Sequence, residues 1–186
     1  MKNRFLILVF SMLSITFASK FSYAQPMAMV GGEAMYPSKD IVDNAVNSKD
    51  HTTLVAAVKA AGLVETLKGK GPFTVFAPTN DAFENLPAGT VETLLKPENK
   101  ATLTKVLTYH VVAGKVTYND LKEMIKKGGG KATLKTVSGG TLTAMMNGGV
   151  SITLMDESGN TTNISTYDVV QSNGVIHVID HVLLPK

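Results

Sequence analysis

The chain has 186 residues, 44% of them hydrophobic, with 18 Lys+Arg against 15 Asp+Glu and neither Cys nor Trp. That length suits one domain able to bury a core unaided, and the lack of cysteine excludes a disulfide scaffold, a cysteine-ligated zinc site and a thiol nucleophile. The net charge of +3 misleads, because Lys2, Arg4 and Lys20 precede the first acid, Glu33, and without these three the fifteen remaining cations equal the fifteen acids; nucleic-acid binding needs a cationic excess, so no such partner is expected.

Met1–Arg4 carries two positive charges, Phe5–Phe17 is nearly all apolar, and Ser22 and Ala24 place small residues before Gln25. This is the layout of a secretory signal peptide over residues 1–24, with cleavage after Ala24. The apolar run is shorter than the ~20 residues a membrane-spanning helix needs, and no later stretch reaches that length. Residues 25–37 contain Gly, Pro and small residues without an apolar period and read as a flexible lead-in. The folded domain is expected over 38–186.

From Ser38 to about Lys127 the period is helical. Asp40–Asn47 reads as a short helix burying Ile41, Val42, Ala45 and Val46. Leu54, Val55, Val58 and Ala61 predict a second, capped by Ser48 or Asp50 and stopped at Gly62. Leu63–Leu67 adds a turn. Phe73–Ala77 is β-branched and aromatic, a buried strand. Pro78 ends it, and Thr79 or Asn80 can cap a helix over Asp81–Leu86. Thr90–Lys96 follows, and then Leu103, Val106, Leu107 and His110 fall at helical spacing, which puts His110 at the end of an apolar stripe. Val111–Val116 is extended. Thr117 and Asp120 open the last helix, through Leu121, Met124 and Ile125, as a capping box.

Beyond Gly130 the period changes to two. Leu134/Thr136, Leu142/Ala144/Met146 and Val150/Ile152/Leu154 alternate with polar neighbours between glycine-rich turns, which predicts an antiparallel meander with one wetted face. Thr161–Ser165, Tyr167–Gln171 and Val175–Leu184 read as the closing strands. Helices first and strands later make an α+β domain, and Phe73–Ala77 must pair with strands distant in sequence.

Three segments resemble one family. Thr74-Val75-Phe76-Ala77-Pro78-Thr79-Asn80-Asp81-Ala82-Phe83 is similar to the first signature of fasciclin (FAS1) domains, Tyr109-His110 to their central Tyr-His pair, and Asn173-Gly174-Val175-Ile176-His177-Val178-Ile179-Asp180 with Val182-Leu183-Leu184-Pro185 to the second signature. The resemblance runs from about Ser38 to Pro185. It implies a β-sandwich or wedge of mainly antiparallel strands flanked by an N-terminal helical layer, in a small secreted bacterial protein with a role in adhesion or extracellular binding. The candidate interaction or motif residues are therefore Thr79, Asn80, Asp81, Phe83, Tyr109, His110, Asn173, Gly174, His177 and Asp180. His110 has two readings: part of an adhesive patch, as the resemblance implies, or a core histidine whose ring nitrogens bond a neighbouring loop such as Thr79–Asp81.

Neither a catalytic nor a metal site is expected. No Ser sits in a G-x-S-x-G elbow, and Gly128-Gly129-Gly130-Lys131 opens a strand rather than the helix a phosphate loop requires. His177 and His181 have the H-x3-H spacing of a zinc pair, but along a strand they would stand ~13 Å apart. Asp180 falls on the apolar face of that strand, which calls for a bulge, a turn or a hydrogen-bonded carboxylate. Asp156 and Glu157 lie in a glycine-containing turn and are expected to be solvated. The reading is a secreted or periplasmic, non-catalytic module without a cofactor, a monomer or weak dimer that contacts an extracellular protein, cell-surface or glycan partner. The alternative is a carrier that holds a small apolar or lipidic ligand between sheet and helices.

Overall fold

The computed structural model describes residues 27–186. The expected signal peptide, including its cleavage site, lies outside the described residues. The first described residues are not the flexible lead-in that their composition suggests. β1 (Ala28–Val30) and β2 (Glu33–Met35) form an antiparallel hairpin. Its Val30 and Met35 side chains are buried in the main core.

A helical layer follows: α1 (Ile41–Ala45), α2 (Thr52–Ala61), α3 (Val64–Lys68), then, after strand β3 (Phe73–Pro78), α4 (Asn80–Glu84), α5 (Thr90–Leu94) and α6 (Lys100–Tyr109). Asp40 caps α1 by accepting from the Asp43 amide at 2.8 Å. α2 stops where predicted, because Gly62 adopts the left-handed φ of 74° that closes a helix without Cβ strain. The buried face of α1 differs from expectation. Asn44 is fully buried and Val46 is half exposed, because Asn44 exchanges hydrogen bonds with the Tyr36 backbone and also donates to the Gln171 side chain.

β4 (Val111–Ala113) and α7 (Tyr118–Lys127) lead into the meander β5 (Lys131–Lys135), β6 (Thr141–Asn147), β7 (Ser151–Met155), β8 (Thr161–Gln171) and β9 (Gly174–Ile179). The expected capping box at α7 is present, with Thr117 and Asp120 satisfying each other's amides. The seven strands are ordered β4-β3-β9-β8-β7-β6-β5. β3 runs parallel to β9 and antiparallel to β4, and every other neighbouring pair in this sheet is antiparallel. The two ends of the sheet meet where Val112 pairs with Thr136 and the Val137 amide donates to the Val111 carbonyl at 2.8 Å. The sheet thus curls into the wedge that the family resemblance implies.

β3 and β9 are buried on both faces, which explains their unbroken apolar character. Val75, Ala77, Ile176 and Val178 face the helices, while Phe76 and Ile179 face inward onto Leu121, Ile125, Leu142, Ala144, Ile152 and Leu154. β8 is one strand rather than two, with register shifts between Ile164 and Val169 and a φ of 54° at Asp168. β9 ends at Ile179, earlier than the expected Leu184. The Asp180 amide still reaches the Asn163 carbonyl of β8 at 3.3 Å, but the amides of His181, Leu183, Leu184 and Lys186 bond to side chains.

Candidate functional site

The first signature joins β3 to α4. Thr79 is the cap, with its hydroxyl accepting from the Ala82 amide at 3.2 Å. Asn80 does not cap its own helix. Its Oδ1 accepts from the Thr53 amide at 3.0 Å and its Nδ2 donates to the Lys49 carbonyl at 2.9 Å, so it caps α2, which has no cap of its own. Asp81 is exposed in the first turn of α4, where the helix dipole favours a negative charge. Phe83 is buried in the helical-layer core.

Tyr109 and His110 are both buried, at 0% and 3% exposure, so neither ring is available to a partner in the folded protein. Tyr109 donates its hydroxyl hydrogen to the Thr141 carbonyl at 2.7 Å and accepts from the Glu157 amide at 3.1 Å. Burial pushes its phenol up to about 12. His110 accepts at Nε2 from the Leu183 amide at 3.0 Å, which fixes Nδ1 as the N–H that donates to the Val106 carbonyl at 2.8 Å. Its partners are its own helix and the C-terminal segment, not the Thr79–Asp81 turn. Burial lowers its pKa to about 4 against the smaller opposing effects of the Val106 bond and Asp156.

Four amides of the C-terminal segment donate to side-chain acceptors. Besides Leu183, the Leu184 amide donates to Asp156 Oδ2 at 3.1 Å, the His181 amide to the Thr162 hydroxyl at 2.9 Å, and the Lys186 amide to Glu157 Oε2 at 3.4 Å. Asp156 is therefore not the solvated turn acid its neighbours suggest. It is 4% exposed and also accepts from the amides of Ser158 and Asn160, both at 2.9 Å.

The second signature stitches the sheet to the helices. Asn173 accepts at Oδ1 from the Ile41 amide at 3.0 Å and donates from Nδ2 to the carbonyls of Leu67 at 2.8 Å and Gly69 at 3.0 Å. At Gly174 a Cβ would lie 2.2 Å from the Phe73 carbonyl oxygen, so only glycine allows β9 this close to β3. His177, fully buried, donates from Nε2 to the Val116 carbonyl at 2.9 Å and stacks on Phe76 with ring centroids 5.6 Å apart. Asp180 lies past the strand end as a hydrogen-bonded carboxylate. Partial burial opposes its ionisation, but bonds from His181, Asn163 and Thr162 outweigh this and hold it at about 2. His181 is in the bend after β9, so the strand spacing assumed for the His pair does not apply. Among the described residues no three His, Asp or Glu side chains gather to hold a metal ion.

This order of segments in this topology matches a known pattern. The fasciclin domain family model matches residues 49–185. The chain belongs to the fasciclin domain family. It is 48% identical to Protein sll1483 of Synechocystis sp. over 85% of this chain and 80% of that one, and 34% identical to immunogenic protein MPB70 of Mycobacterium bovis over 90% and 79%. Its fold matches a solved FAS1 domain pair from the insect cell adhesion molecule Fasciclin I with a TM-score of 0.69 at 19% identity. That match covers 78% of this chain and 51% of the insect one. The hairpin and α1 precede the region matched by the fasciclin model, yet they pack on its core.

Among the polar residues that sequence reasoning did not single out are Asn44 and His51, both buried, and Tyr167, partly buried against the inner core. Tyr167 accepts from the Ile152 amide at 2.7 Å and packs edge-on against Tyr118. For His51 a signal existed, since it lies one turn before Leu54 and Val55 on the apolar face of the second helix.

Proposed function

We propose that this fasciclin domain is an exported, non-catalytic module that binds an extracellular protein, cell-surface or glycan partner by surface contact. The observation that carries this reading is the outer face of the meander. Paired rows run Lys131–Met145–Thr153–Asn163 and Thr133–Thr143–Met155–Thr161 across four strands, with side chains directed away from the core. Threonine hydroxyls in rows a strand spacing apart (~4.8 Å) match the donors and acceptors of a sugar chain, and Met145 and Met155 offer apolar contact to its C–H faces. The likeness to a domain pair of an insect cell adhesion molecule supports the same reading.

The test is a glycan array together with capture from the native cell envelope. The wild-type domain is expected to retain a partner, and the double variant Thr143→Lys/Thr153→Lys to lose it at an unchanged melting temperature. Capture that survives the double variant would remove this face from consideration. Turnover of a panel of chromogenic esters would overturn the non-catalytic reading.

A further inference from the structure

Asparagine precedes glycine at two places in the chain, Asn147-Gly148 and Asn173-Gly174. Such a pair carries a reaction of its own. The glycine backbone nitrogen attacks the asparagine Cγ, ammonia leaves, and a five-membered succinimide forms. Water then opens the ring at either carbonyl, giving aspartate or, with the backbone rerouted through the side-chain carbon, isoaspartate. Glycine favours the attack because it has no Cβ to hinder the turning peptide. The step needs an unanchored side-chain amide, a glycine nitrogen without a hydrogen-bond partner, and room for the backbone to move.

The fold meets these needs at one pair and denies them at the other. Both ends of the Asn173 amide are anchored, Oδ1 by the Ile41 amide and Nδ2 by the Leu67 and Gly69 carbonyls. Gly174 is paired with Phe73 on one side and Gln171 on the other. Asn147, by contrast, is the exposed last residue of β6. Among the described residues its Oδ1 accepts no hydrogen bond, and its side chain makes a single long one, from Nδ2 to the Thr153 hydroxyl at 3.3 Å. Gly148 opens the turn to β7 with a φ of 64°, its amide has no partner among the described residues, and no atom lies within 4 Å of where a Cβ would stand. Gly149 follows with a φ of 84°, so two successive glycines leave the turn free to bend.

We infer that Asn147 is a site of spontaneous covalent modification, exchanging its side-chain amide for a carboxylate by way of the succinimide, while the fold protects Asn173. Water is the only co-reactant, ammonia is the leaving group, and nothing is oxidised or reduced. The consequence reaches the outer face of the meander, because Asn147 follows Thr143 and Met145 on that side of β6. The Thr153 hydroxyl accepts from Asn147 and donates to Asn163 Oδ1 at 2.8 Å. A carboxylate has no hydrogen to give, so it competes with Asn163 for the hydrogen of Thr153. The modified face gains a negative charge and loses part of its hydrogen-bond order. The isoaspartate product also adds a backbone carbon where residue 147 pairs with Ser151, which disturbs the register at the turn.

The experiment holds the folded protein in mildly alkaline buffer at physiological temperature and samples it over time. A glutamate-specific protease cuts after Glu157 and so separates the two asparagines, and mass spectrometry reads each fragment. The Asn147 fragment is expected to gain about 1 Da, the exchange of NH2 for OH, and to resolve into aspartate and isoaspartate products. The Asn173 fragment is expected to keep its mass in the folded protein and to gain the same increment once the chain is held in urea. An Asn147 fragment of unchanged mass would overturn the inference, as would an Asn173 that reacts as fast as Asn147 without unfolding. For the consequence, Asn147→Asp is expected to shift the Asn163 side-chain amide resonances in NMR at an unchanged fold, and resonances that stay in place would refute the loss of order around Thr153.

Discussion

Acid should destabilise this protein well before its carboxylates titrate, and His110 is the residue through which the effect can be measured. In the folded state its Nε2 must keep a lone pair for the Leu183 amide, and burial holds its pKa at about 4 against an ordinary 6.5. The folded state thus binds this proton less readily than the unfolded chain. The stabilisation is complete above pH 6.5, declines as the pH falls towards 4 and is fully lost below it. A shift of that size corresponds to roughly 3–4 kcal/mol at ~1.4 kcal/mol per unit. His51 and His177, also lowered chiefly by burial, act in the same direction. Asp180, held at about 2, loses its contribution only below the ordinary carboxylate pKa of 3.8 and so outside this window. His110→Gln isolates the effect, because a glutamine amide can both donate and accept but does not titrate. Urea unfolding at closely spaced pH values between 7.5 and 4 is expected to show a wild-type slope steeper by about one proton than that of His110→Gln. Parallel slopes, or an NMR titration of His110 with a midpoint near 6.5, would refute the reasoning.

The other predictions concern the signature segments. Phe83→Ala removes a buried ring from the helical-layer core and should cost roughly 3–5 kcal/mol in denaturant unfolding. Asn173→Ala strands the Ile41 amide and the Leu67 and Gly69 carbonyls and should cost about 3 kcal/mol, with amide exchange accelerating at Ile41. Gly174→Ala places a methyl 2.2 Å from the Phe73 oxygen; circular dichroism is expected to show a far lower melting temperature or no folded state. Tyr109, at about 12, should be the last tyrosine to ionise in ultraviolet titration. Its raised pKa adds stability below pH 10 that disappears between 10 and 12.

The sequence made visible whatever depends on local period or local capping. The alternation placed Leu142, Ala144, Ile152 and Leu154 inside, failing at Val150, which is 71% exposed in the turn before β7, and Thr117 with Asp120 announced a helix start from three residues' separation. Gly62 marked its stop by the one conformation that suits it. What failed had a distant cause. Asn44 displaced Val46 from the buried face of α1 because its partner, Gln171, is 127 positions away. Asp156 looked like a turn acid because the Leu184 amide that buries it lies 28 positions on. Val182-Leu183-Leu184 carried an apolar run fit for a strand, yet their segment bonds to His110, Asp156 and Glu157 side chains. Hydrophobic pattern reports burial and says little about which group takes the hydrogen bond.

The same distinction bears on where a partner would be recognised. Asn80 spans 31 positions to Lys49, His110 spans 73 to Leu183, and Asn173 spans 132 to Ile41. Each satisfies a specific backbone group on a distant element, a demand that few side chains can meet. Such demands produce short, recognisable motifs. A contact face makes no comparable demand. Thr143, Thr153 and Thr161 sit on the outer side of their strands, where many polar residues would fold equally well, so composition there is free to follow the partner. Variants in the motifs should therefore lower melting temperature and binding together, whereas variants on the meander face should lower binding alone. A His110 variant that lost its partner while melting at the wild-type temperature would reverse this division, since a ring enclosed by Val106 and Leu183 has no route to a partner that leaves the fold intact.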